Sequence, residues 1–142
     1  MKESLNNESY SDLSDMLLEL NDLGYKTEVR KMDKLEFNRT VNYLSSMPET
    51  LRRFISEIHR YYDLDELVVV TIVKPQEFPM TGDNSAVFFE NQEQYDTFNE
   101  TIDRIKEYMT GLGYVRRTYG LVNNYVKEYY FKGEKINKVN KR

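Results

Sequence analysis

The run Leu67-Val68-Val69-Val70-Thr71-Ile72-Val73 constrains this chain more than any other stretch. It is the only continuous apolar run, four of its seven residues are valine, and Asp65-Glu66 and Lys74-Pro75 bound it. A short β-branched run that does not alternate with polar residues predicts a strand buried on both faces. The rest of the chain arranges around it as helices and half-buried strands.

Before the run, Leu13, Met16, Leu17, Leu20 and Leu23 recur at helical spacing, with Ser9-x-x-Asp12 as a start signal and Gly24 as the stop. Tyr25 to Arg30 alternates apolar and charged residues and reads as a half-buried strand. Over 31–45 two readings stay open: Leu35 and Phe37 extend the sheet, or Thr40 to Leu44 starts a helix. A second helix follows. Ser46-x-x-Glu49 makes a capping box, Pro48 falls in the first turn, and Leu51, Phe54, Ile55, Ile58 and Tyr62 make the buried stripe. Asp63 to Glu66 is expected to turn into the central strand.

Beyond the run, Lys74 to Asn84 reads as a loop and Ala86 to Glu90 as a short strand. Asn91-x-x-Gln94 caps a third helix, whose apolar line is Tyr95, Phe98, Ile102, Ile105, Met109 and Leu112. Glu93, Asp96, Glu100, Asp103 and Glu107 keep the same rhythm two residues earlier, which places them on the opposite side. Gly113 ends the helix. Tyr114 to Leu121 and Tyr125 to Lys132 then form a hairpin about Asn123-Asn124.

Leu20 to Tyr25 and Met109 to Tyr114 share one pattern, a helix that ends at Leu-Gly-Tyr before a strand. It is either the ordinary way a helix stops or the trace of a pseudo-symmetric domain built from two helix–strand units. The fold class expected is α+β: one domain over 1–131, with two or three amphipathic helices on a mainly antiparallel sheet, and a basic tail over 132–142.

Charge supports that division. The tail holds Lys132, Lys135, Lys138, Lys141 and Arg142 against Glu134, a net +4, so a chain of net −4 carries −8 in its first 131 residues. An acidic body argues against a protein that coats duplex DNA. There is no cysteine, which removes thiolate zinc sites, disulfides and cysteine nucleophiles. The first residues hold no apolar segment and no run approaches the ~20 residues of a membrane helix, so a cytoplasmic protein is expected.

Chemistry-bearing patterns are few. His59 is the only histidine, and Asp63-Leu64-Asp65-Glu66 is the one compact carboxylate group; a solvated helix residue and a solvated turn account for both. No catalytic motif is present, and no cofactor or metal is expected. Acidic rows on the first and third helices could imitate a phosphate backbone, or simply face water. In the final hairpin, with Asn123-Asn124 as the turn, one face carries Arg116, Thr118, Val122, Tyr125, Lys127, Tyr129 and Phe131. Cations interleaved with aromatics suit single-stranded nucleic acid, and tyrosine-rich sheet also suits protein recognition.

The run Asp15 to Tyr25, the segment Phe88-Phe89-Glu90-Asn91 with its helix, and Leu112-Gly113-Tyr114 resemble stretches of small uncharacterised accessory proteins of tailed phages. The Asn-, Tyr- and Lys-rich composition is similar to theirs. The resemblance carries no catalytic residue. It implies a protein that binds and inhibits a host protein. The expectation is therefore a non-enzymatic binding protein whose partner is another protein, with Arg116, Tyr125, Lys127 and Tyr129 as its contact residues. A single-stranded nucleic-acid binder using the same hairpin and the tail is the alternative, and self-association is compatible with either.

Overall fold

Tyr62–Val73 forms β2, the longest strand of a four-stranded antiparallel sheet ordered β1-β2-β4-β3. The computed structural model describes residues 6–47, 49–75, 88–122 and 124–136, leaving aside the side chains at 50, 51 and 119–122. The chain runs α1 (Asn7–Asp22), β1 (Lys26–Asp33), α2 (Lys34–Val41), a 3-10 turn (Leu44–Ser46), α3 (Glu49–Tyr61), β2, α4 (Gln92–Gly111), β3 (Val115–Val122) and β4 (Tyr125–Lys135).

β2 lies between β1 and β4, and both of its faces are covered, as its valines require. Val68, Val70 and Ile72 meet Leu13, Leu17 and Leu20 of α1 and Ile102, Ile105 and Met109 of α4. Leu67 and Val69 point the other way, into a second core with Phe37 of α2 and Phe54, Ile55 and Ile58 of α3. Each such side chain contributes roughly 1.5–3 kcal/mol when withdrawn from water. The molecule is thus three layers: α1 and α4, the sheet, then α2 and α3.

Both helix stops are Schellman motifs. Gly24 takes φ +101° and Gly113 φ +98°. Gly24 N–H donates to Asn21 and Tyr25 N–H to Leu20, at 3.1 and 3.0 Å. In the second corner Gly113 N–H donates to Thr110 and Tyr114 N–H to Met109, at 3.0 and 3.1 Å. Glycine takes that left-handed conformation without the Cβ penalty other residues meet.

The likeness extends into the sheet. Lys26, after Tyr25, stands opposite Val73, which precedes Lys74; Val115, after Tyr114, stands opposite Phe131, which precedes Lys132. β2 and β4 pair so that exchanging the halves maps Val73↔Tyr125 onto Leu67↔Phe131 and leaves Val70↔Glu128 in place. The domain is therefore pseudo-twofold about that pair, with α2 and α3 inserted between β1 and β2.

Several local expectations change. α1 begins earlier than expected, because Asn6 caps it, its Oδ1 accepting from Ser9 N–H at 2.9 Å. Residues 34–41 are helix, not sheet, with Asp33 Oδ1 accepting from Glu36 N–H at 2.8 Å. Ser46 does not act as the expected cap; its hydroxyl donates to the Tyr43 carbonyl. Asp63 to Glu66 is not a turn, since β2 begins at Tyr62 directly after α3 and absorbs them with an irregularity between Leu64 and Glu66. Phe88 to Glu90 is bend and coil; the remainder of the expected strand, Thr81-Gly82-Asp83-Asn84, Pro48 and Asn123 lie outside the described residues. β4 continues through Lys135 and buries Lys132, so the sheet runs past residue 131, where the tail was expected to start.

Candidate groove on the second face of the sheet

α3 is 13 residues long and α2 only 8, and together they cover one end of their face of the sheet. Where they stop, a groove of about 270 Å³ opens between the strands and the helical layer. Its floor is Leu67 and Val69 of β2 with Tyr129 of β4, and its walls are Met32, Met47 and Ile55. Polar side chains line its open end: Glu28 and Arg30 from β1, Thr71 from β2 and Lys127 from β4.

Strand pairing sets this arrangement. Glu28 faces Thr71, and Thr71 faces Lys127, so one row crosses three strands. The next row is Arg30, Val69 and Tyr129. Tyr129 is buried because Phe54 of α3 lies on it, with ring centroids 4.2 Å apart. Arg30 is held by Glu36 at 2.8 Å. Lys127 donates to the Thr71 hydroxyl at 3.2 Å and lies 5.9 Å from the Tyr125 ring centroid.

Two of the four expected contact residues, Lys127 and Tyr129, thus line one groove, and Tyr125 stands beside Lys127 at the end of β4. Arg116 does not join them. β3 shifts register by one residue between Thr118 and Leu121, so Arg116 pairs with Tyr130 and faces α1 and α4. The uninterrupted hairpin assumed from the sequence put it on the wrong face. Tyr129 is likewise not a surface residue, and Glu128 and Tyr130, on the opposite face of β4, are buried as well.

Arg116 instead serves a buried network. Its Nε donates to Glu128 Oε1 at 2.7 Å and an Nη to Oε2 at 3.1 Å, while the Tyr130 hydroxyl donates to Oε1 at 3.1 Å. Burial, then the adjacent carboxylate, hold the Tyr130 hydroxyl well above the ordinary phenol range. Glu128 is 2% exposed at the pseudo-twofold centre, so these bonds satisfy a charge that would be costly alone.

The other expected chemistry stays apart. His59 is exposed on α3, with its ring 6.4 Å from that of Phe37. Asp63 and Asp65 lie 3.0 and 3.9 Å from Lys34 Nζ, and Glu66 is buried with Lys31 at 3.8 Å. Among the described residues no group of three or more His, Asp or Glu could hold a metal ion. The acids of α1 and α4 line the outside of their layer, joined across the two helices by Arg104–Glu19 at 3.2 Å and by Tyr108 donating to Asp12 at 2.7 Å. No described helix is long and apolar enough to cross a membrane.

Met32, Met47 and Ile55 were missed as wall residues. Their grouping depends on α2 following β1 without a gap, and the alternation of Leu35 and Phe37 hid that helix. Comparison with protein-family models, with curated proteins and with solved structures finds no match to this chain.

Proposed function

We propose that the chain is a non-enzymatic binding protein, a cytoplasmic accessory or inhibitor protein of the phage type, that acts by holding another protein. The observation that supports this reading is the groove itself: a recess with a buried apolar floor, half-buried methionine walls and a polar lip. Binding energy at protein interfaces concentrates in a few bulky side chains that fill such desolvated recesses. Two of the walls are methionines, whose unbranched, polarisable side chains adapt to the shape of an incoming group. A volume of about 270 Å³ takes one or two side chains, not a folded domain. The groove is thus an anchor point within a wider contact.

The nucleic-acid reading needs a cation–aromatic platform, and two of its four residues are committed elsewhere. Arg116 serves Glu128 on the opposite face and Tyr129 lies beneath Phe54. The test is co-purification from nuclease-treated host lysate, comparing wild type with Met47→Glu, which sets a charge in the groove wall. The proposal expects a stoichiometric host protein with the wild type and its loss with the variant. Retention on heparin or poly-dT with steep salt dependence, and no protein partner, would overturn it.

A further inference from the structure

Lys127 distinguishes this groove from a plain apolar recess. Its nitrogen is bonded to a neutral hydroxyl, that of Thr71, and among the described residues no carboxylate lies within salt-bridge distance. The other cation of the lip, Arg30, is already neutralised by Glu36. Among the described residues that line the groove, Glu28 is the one acid. It is exposed on the edge strand, two strands from Lys127, roughly 10 Å at the usual strand spacing. Lys127 is the more buried of the two, so water and salt screen its charge less.

From this, and resting on the groove as the contact site, we infer that the partner segment delivers a bulky apolar side chain flanked by a carboxylate, and that Lys127 reads the acid. The apolar group lies between Met32 and Met47 of the wall, above the buried Val69 and Tyr129. The carboxylate meets the ammonium at the lip, in place of solvent. Thr71 holds the lysine nitrogen near that lip, which lowers the ordering cost of the pair. An amide or a cation at the same place forfeits the charge-assisted bond.

The experiment is an amide chemical-shift titration of the full chain with two probes, N-acetyl-phenylalanine, an anion at neutral pH, and N-acetyl-phenylalaninamide, its neutral counterpart. The expected result is that both shift Ile55, Val69 and Tyr129, and that the anion binds about five-fold more tightly, the scale of a partly exposed ion pair. Lys127→Met abolishes the difference and leaves the neutral probe unchanged; Lys127→Arg retains it. Equal affinity of the two probes for the wild type, or a preference that survives in Lys127→Met, overturns the role of Lys127 while leaving the groove as a site. If neither probe moves those amides, the groove reading itself fails.

Discussion

Lys74 and Lys132 occupy equivalent places in the two halves of the domain, each with its ammonium over the tyrosine that follows a left-handed glycine. Nζ lies 5.0 Å from the Tyr25 ring centroid in one corner and 4.6 Å from that of Tyr114 in the other. Both lysines are buried, and Lys74 also meets Glu90 at 3.1 Å. A cation over an aromatic face is worth more when desolvated, so the two corners hold the helix α1 and α4 ends against the sheet in the same way.

Equivalent corners should respond equivalently. Gly24→Ala and Gly113→Ala place a Cβ at φ +101° and +98°. Each should cost about 1–2 kcal/mol, the penalty of a left-handed L-residue. Urea unfolding of the two variants measures it, and losses that differ several-fold would mean that the corners are not alike.

Gly133 has a different reason to be glycine. A Cβ there would stand 2.5 Å from the Asp63 carbonyl oxygen and 2.8 Å from Leu64 Cα, beside the irregularity in β2. Backbone cannot swing aside as a side-chain tip can. Gly133→Ala should lower stability by at least about 1–3 kcal/mol, the range for overpacking, read as a lower urea midpoint with an unchanged slope.

Arg116→Met leaves the Glu128 carboxylate buried without its guanidinium. The expected cost is about 3 kcal/mol, the low end for a broken buried pair, because the arginine is partly wet. Adding Glu128→Gln should recover part of the loss, and a double-mutant cycle on unfolding free energies measures the coupling.

Tyr25 makes stability depend on alkaline pH. Burial, then the Glu90 charge, push its hydroxyl up to about 12 from an ordinary value near 10.0. The folded state therefore holds the phenol proton more tightly than the unfolded chain. That contribution is complete below about pH 10 and is lost as pH rises through 12, since the unfolded state ionises first. Thermal midpoints from pH 9 to pH 12 should fall less steeply for Tyr25→Phe than for wild type, from a lower start, because the hydroxyl's bond to the Phe88 carbonyl is gone.

The elements written most plainly in the sequence are those fixed by one physical demand. Val68 to Val73 could be satisfied only between two layers, and the apolar line of α4 only against a sheet. The hidden parts are those where two patterns compete. Leu35 and Phe37 alternate as in a strand, yet Asp33 caps Glu36 and the helix wins. In β3 the face of Arg116 depends on a single extra residue between Thr118 and Leu121. Gly120 within that strand was the available signal, because an isolated glycine in a strand often marks a bulge. Lys127 and Tyr129, both on β4, share a face by strand alternation whatever the register of β3.

The claim that the second face makes the contact is tested most directly by site-specific photo-crosslinking in nuclease-treated host lysate. One sample carries the crosslinking residue at Met47 in the groove wall and another at Asp103 on the acidic outer layer of α4. The account predicts one discrete crosslinked protein from position 47 and none from position 103. A crosslink from position 103 alone would contradict it.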